Sequence, residues 1–166
     1  MKLSLDANVF IYAYITGENI KNERRRREWV QLHEKADVLY TDVLKGKHVV
    51  IIPSVIVAEV CAVISRLTNS EEEGISVAKE VQEYCVVVYE SASVLEELLP
   101  VIAKVKGSGI DSILAALAAK ENTVLITNDR KLHDRLRAFE SYVDVRLLKD
   151  MSLDDIKLMP IDVRLV

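Results

Sequence analysis

Two rhythms alternate along the chain: short unbroken apolar runs, and longer stretches with an apolar residue every three or four positions. The run "KLSLD" (2–6) predicts a short strand, and a helix follows from Ala7 to about Ile15, ending near Gly17. Trp29, Leu32, Ala36, Leu39 or Tyr40, and Val43 recur at helical spacing, which predicts one long amphipathic helix stopped at Gly46. The β-branched run "HVVII" (48–52), bounded by Gly46 and Pro53, predicts a buried strand. Pro53 suits the first turn of the next helix, "PSVIVAEVCAVISRL". After the polar break "TNSEEEG", a helix to about Gln82 leads into a third strand, "YCVVVYE" (84–90), and then a helix from about Ser93 to Lys104. A Gly-bounded turn opens the Ala-rich helix of "GIDSILAALAAKEN". "TVLIT" (123–127) is the fourth strand, "NDRKLHDRLRAF" a short helix and "VDVRLL" (143–148) the fifth strand.

Strands alternating with helices predict an α/β fold, with a parallel sheet wrapped on both faces. With 166 residues, half of them hydrophobic and 29% charged, the composition is that of one globular domain. That domain spans residues 1–149. The tail 150–166, "DMSLDDIKLMPIDVRLV", fits none of the strand–helix units, and its "IDVRLV" reads as an extra strand or an arm. Charges break every apolar run well short of the roughly 18 residues of a membrane span. The start "MKLSLDANVF" lacks a signal-peptide layout, so a cytoplasmic protein is expected. Cys61 and Cys85 lie singly inside apolar elements and read as core thiols in a reducing compartment. A net charge of -4 weighs against broad nonspecific nucleic-acid binding but is compatible with acids concentrated at a metal site.

Four acids draw attention because a parallel sheet presents its ligand site at the C-terminal ends of its strands. Asp6 ends the first strand and Asp129 follows the fourth, and each alone also reads as a helix N-cap. Glu59 is the single polar residue of "VIVAEVCAVI" (55–64), on the second turn of a helix that starts at the same edge. No orientation of that helix gives it a properly polar face, and an ionised Glu there calls for a basic partner or a metal. Asp111 opens a helix that leads into strand four, so its start lies over the same edge. It too reads as an N-cap in isolation. Converging carboxylates repel, and a divalent cation removes the conflict. All-oxygen ligands point to Mg²⁺ or Mn²⁺ rather than zinc, since His33, His48 and His133 are scattered.

These residues resemble the PIN-domain nucleases, most closely the VapC-type toxin ribonucleases. The similarity runs from Lys2 to about Leu148, through "LDANVFIYA", "IPSVIVAEV", "GIDSILAALA" and "LITNDRKL", with the last two acids 18 residues apart. The resemblance implies a three-layer α/β/α sandwich around a mostly parallel sheet of about five strands. It implies that Asp6, Glu59, Asp111 and Asp129 bind one or two Mg²⁺ or Mn²⁺ ions for metal-dependent hydrolysis of RNA, single-stranded or structured. It further implies that Asn8 and Thr127 support the carboxylates, that an antitoxin protein is a partner, and that the chain is a homodimer. The apolar residues of the helix after "SEEEG" are the expected dimer face.

The segment from about 17 to 46 is longer than most such toxins carry, and the tail is extra. Lys104 and Lys106 before Asp111, with Arg130 and Lys131 after Asp129, are the expected RNA contacts because they flank the acids. Arg24 to Arg27 read first as a solvated helix start and secondly as phosphate contacts. Three other functions stay open. An RNA-processing PIN nuclease outside any toxin pair fits the same acids. A non-catalytic RNA- or protein-binding scaffold would leave them idle. A haloacid-dehalogenase-like phosphatase needs Asp-x-Asp, where this chain has Asn8, and gives Glu59 no role.

Overall fold

Five short strands lie side by side in the order β3-β2-β1-β4-β5, every neighbouring pair parallel. They are β1 (Lys2–Leu5), β2 (Val49–Pro53), β3 (Val86–Val88), β4 (Val124–Thr127) and β5 (Asp144–Leu147). The computed structural model describes residues 1–139 and 143–161. Parallel strands need crossovers, and helices supply them: α1 (Ala7–Tyr14), α2 (Glu23–Leu44), α3 (Ser54–Thr68), α4 (Glu71–Tyr84), α5 (Ala92–Val105), α6 (Gly109–Glu121) and α7 (Arg130–Arg137). The chain steps outward from β1 to β2 to β3, then returns through α5 and α6 to β4 and β5. Right-handed crossovers therefore put α1–α4 on one face and α5–α7 on the other. The three-layer expectation holds.

The core is what this layering demands. Leu3, Leu5, Ile52, Leu125 and Ile126 of the three inner strands are fully buried, as are Ile56 and Val60 of α3 and Leu114 and Ala118 of α6. At the strands' N-terminal ends the buried Ser4 hydroxyl pairs with Ile51 O at 2.8 Å and Thr123 Oγ1 at 2.7 Å, so the polar groups inside the sheet are satisfied. Cys85 is buried, with its thiol pushed up to about 12 by that burial, and Cys61 is half-buried; both are free.

Three boundaries differ from expectation. The third strand is three residues long, because α4 continues to Tyr84 and the Cys85 N–H still bonds Val81 O at 3.0 Å. Pro53 is the N-cap residue of α3 and the last of β2, one position before the first turn. The tail joins the domain: a 3-10 turn (Leu148–Asp150) leads to α8 (Leu153–Lys157), which packs on α2 and starts with a Ser152–Asp155 capping box. Of "IDVRLV", all but Ile161 lies outside the described residues.

The 17–46 segment becomes a short loop and the 22-residue α2, packed antiparallel on α1. Trp29 closes the loop: Nε1 donates to Ile15 O at 2.6 Å, and its ring meets Tyr12 edge-on at 4.7 Å. Gly17, at φ +80, has no Cβ because one would sit 2.3 Å from Trp29 Cδ1.

Candidate active site

Strand order reverses between β1 and β4, and the C-terminal ends of those two strands carry a linked set of side-chain hydrogen bonds. Asp6, just past β1, is only 7% exposed. It occupies the N-cap position of α1 but makes no side-chain capping bond. Its Oδ2 instead accepts from Thr127 Oγ1 and from Asn8 Nδ2, each at 2.5 Å. The Thr127 hydroxyl in turn accepts from Asp129 N–H at 2.9 Å, which leaves its own proton for Asp6. Asn8 accepts the Asn128 N–H at 2.9 Å through Oδ1. Asn8 and Thr127, expected to support the carboxylates, both bond Asp6.

Burial pushes the Asp6 carboxyl up to about 6. The Thr127 bond and an Ala7 backbone bond oppose the rise, while the charges of Glu59 and Asp111 add to it. Glu59 is raised as well, by partial burial and then by Asp111. Asp6, Glu59 and Asp111 thus share one electrostatic neighbourhood although they come from α1, α3 and α6. Glu59 is half-buried rather than enclosed, since Ala58 and Ala62 on its flank are exposed. No basic residue pairs with it among the described residues. Asp111 is not a cap: Ser108 caps α6 by accepting Asp111 N–H at 3.2 Å, leaving the half-buried Asp111 carboxylate free of that duty.

Asp129 stands apart. It is exposed and caps α7 through Oδ1, which accepts Lys131 N–H at 2.7 Å and Leu132 N–H at 3.1 Å. Among the described residues no three His, Cys, Asp or Glu side chains are close enough together to enclose a metal ion. The donor set still suits a hard cation. Asp6 and Glu59, both raised in part by the Asp111 charge, are the arrangement a divalent ion relieves, and all the donors are oxygens.

The basic residues expected around the acids are dispersed. Arg130 pairs with Asp150 at 3.1 Å, while Lys104, Lys106 and Lys131 are exposed, with Lys106 in the left-handed C-cap of α5. In the arginine run, Arg24 pairs with Glu28 at 3.5 Å and Arg27 with Glu23, one helical turn away in each case, so half of that charge is answered on α2 itself. Two residues were missed in the sequence. Asn128 joins three segments, its own turn, α1 and the 3-10 turn: beside its bond to Asn8, its Nδ2 donates to the Tyr12 hydroxyl at 3.4 Å and its Oδ1 accepts Lys149 N–H at 3.2 Å. Tyr12 lies one turn beyond Asn8, and its hydroxyl is raised by burial and by the Asp6 charge. The available signal was the i, i+4 step from Asn8 to Tyr12.

The PIN-domain family model matches residues 3–138. No curated protein sequence matches the chain significantly. Among solved structures, a chain of VapBC2 from Rickettsia felis, in a crystal structure bound to a DNA fragment from their promoter, superposes with a TM-score of 0.57. It is 16% identical, and the alignment covers 89% of this chain and 98% of that one, so the likeness is one of fold. No helix among the described residues is long and apolar enough to cross a membrane.

Proposed function

This chain belongs to the PIN-domain family, and on that premise we propose that it is a metal-dependent endoribonuclease. Members of the family are generally nucleases. The observation that carries the reading is Asp6: a buried carboxylate at a helix start that caps nothing, held by Thr127 and Asn8 and pushed up to about 6 beside Glu59 and Asp111. A fold that gains only stability from these acids would neutralise or disperse them.

In this reading Asp6, Glu59 and Asp111 hold one or two Mg²⁺ or Mn²⁺ ions, and Asp129 joins through Oδ2, which no hydrogen bond occupies among the described residues. A divalent cation held by these carboxylates would acidify a water and offset charge on the phosphorus oxygens. The chain's own share is positional. Thr127 and Asn8 fix the Asp6 rotamer, and Asn128 fixes Asn8 from the β4–α7 turn. Purified protein is expected to cut a single-stranded RNA oligonucleotide with Mn²⁺ or Mg²⁺ and to stop when EDTA is in excess. Full cleavage under chelation refutes the metal role.

Assembly follows the same resemblance. An antitoxin protein is the proposed partner, supported by the VapC-like motifs and by the fold shared with VapBC2. The α4 face expected for the homodimer is only partly open, with Ile75 half exposed. The apolar side of α4 (Val77, Ala78 and Val81) is spent internally against α3. Val86 of β3, Tyr89 just after it and Leu99 of α5, each at least half exposed, are the alternative. Light scattering of the purified chain should report about twice 18.7 kDa, and a Leu99→Glu variant should report the monomer. A wild-type monomer at tens of micromolar ends the dimer proposal.

A further inference from the structure

The connection from α5 to α6 passes through Gly107, and what lies over that glycine is informative. A Cβ there would meet Arg135 Nη1 at 2.9 Å, Ser112 Oγ at 3.0 Å and Asp111 Cβ at 3.4 Å. The Arg135 guanidinium therefore rests on the bare α-carbon of Gly107, in the space a side chain would fill, alongside Asp111. It comes from α7, where Leu132, His133 and Leu136 are buried. Helical side chains lean toward their own N-terminus, so Arg135 leans back toward the acid-bearing edge.

Arg135 is half-buried, yet among the described residues no hydrogen bond or ion pair reaches it. Arg24, Arg27, Arg130 and Arg146 all have carboxylate partners. A guanidinium offers five donors in a rigid fork and is costly to desolvate without acceptors. This one lies beside Asp111 without pairing to it. It is a cation held at an acidic site with its donors unspent. The four basic residues singled out from the sequence do not share this position: Arg130 is paired with Asp150, and Lys104, Lys106 and Lys131 are exposed.

We propose that Arg135 binds a phosphate group of the substrate strand at the Gly107 gap, next to the carboxylates. A phosphodiester supplies the anionic oxygens that match a guanidinium fork, and Gly107 supplies the room. This rests on the nuclease reading above. It makes Arg135 a substrate-binding residue that sets where the strand lies, and it requires no role in metal binding.

Steady-state cleavage of a single-stranded RNA oligonucleotide in Mn²⁺ tests it, with wild type, Arg135→Gln, Arg135→Lys and Gly107→Ala. Arg135→Gln should raise KM about ten-fold or more, as loss of a charge-assisted bond does, with little change in kcat. The slope of log KM against log salt should fall by about 0.7, the value of one phosphate contact on a single strand. Stabilisation by Mn²⁺ in thermal melts should stay as in wild type. Arg135→Lys keeps the charge without the fork, so it should restore the salt slope and leave part of the KM defect. Gly107→Ala should reproduce the KM defect, because its Cβ displaces the flexible end of Arg135, and should add nothing to Arg135→Gln.

If wild type cuts RNA and Arg135→Gln matches it in KM and salt slope, this inference falls and the nuclease stands. A KM defect that tracks a lowered melting temperature with an unchanged salt slope also overturns it. If wild type neither binds nor cuts RNA, both readings fall together.

Discussion

Asp6 and Asp129 occupy equivalent places and do opposite things. Each follows one of two neighbouring central strands, and each stands at the N-cap position of the next helix. Asp129 turns its Oδ1 onto two α7 N–H groups and stays exposed. Asp6 turns away from α1 toward Thr127 and Asn8 and is buried. The difference lies in competing donors. Thr127 Oγ1 and Asn8 Nδ2 offer Asp6 two side-chain bonds, whereas the Thr127 hydroxyl meets Asp129 only by accepting its backbone N–H. A capping position does not make a cap; the neighbouring donors decide.

The largest expected contrast is catalytic. Asp6→Asn and Glu59→Gln should each lower RNA cleavage by about two to three orders of magnitude, the scale of losing a group that organises transition-state charge. Asp6→Asn should also lose most of the stabilisation that Mn²⁺ gives. If Asp6→Asn cuts like wild type, the contrast with Asp129 has no functional content.

Next comes stability in EDTA, where the two acids should move in opposite directions. Unfolded, Asp6 loses its proton near 3.8; folded, it does so only at about 6. At neutral pH the folded chain therefore holds a charge that the unfolded chain bears more easily. Asp6→Asn should gain about 1–3 kcal/mol, a melting temperature several degrees higher. Asp129→Ala should lose about 1 kcal/mol through the missing cap, while Asp129→Asn should lose little. Melts that fall for both Asp6→Asn and Asp129→Ala erase the distinction.

The smallest effect comes from the opposite end of the sheet. His48 is 4% exposed, and neither ring nitrogen has a partner among the described residues. Burial, the N-terminal amine and Lys47 hold it below its ordinary 6.5, opposed only by Asp42, which pairs with Lys47 at 2.7 Å. As pH falls below 6.5 the unfolded chain takes up a proton that the folded chain refuses, so stability drops, by at most about 1.4 kcal/mol per pH unit until the folded value is reached. Urea titrations at pH 7.5 and 5.5 should show His48→Leu losing less over that interval than wild type. Equal losses would place the acid sensitivity elsewhere.

The layering and the succession of strands and helices were legible because burial on both faces writes continuous apolar runs, as in "HVVII", and because Gly46 and Pro53 mark the ends. The third strand was misjudged at its start, since Tyr84 and Cys85 suit a strand locally while α4 gains its last turn from packing on α3. The tail helix was missed although Ser152 and Asp155 carry a capping box; five residues are too short to show a period. At the site, four acids could be picked out but not ranked. Glu59 was expected to be enclosed because its neighbours are apolar, yet Ala58 and Ala62 face solvent, and composition alone does not show which face a helix turns outward. Arg135 left no trace in spacing. Its significance comes from a glycine 28 residues earlier that the fold brings beneath it.

The bond from Thr127 to Asp6 spans 121 positions, and β1 meets β4 over a similar distance. At a synthesis rate of about 5–20 residues per second, the first carboxylate waits roughly 6–24 s for the hydroxyl that orients it. Until then β1 has only one of its two flanking strands and α6 has no completed sheet to cover. Every nascent form that stops short of β4 therefore lacks the anchored Asp6. A nascent chain has no anchored Asp6 until Thr127 has been made and β4 has paired with β1.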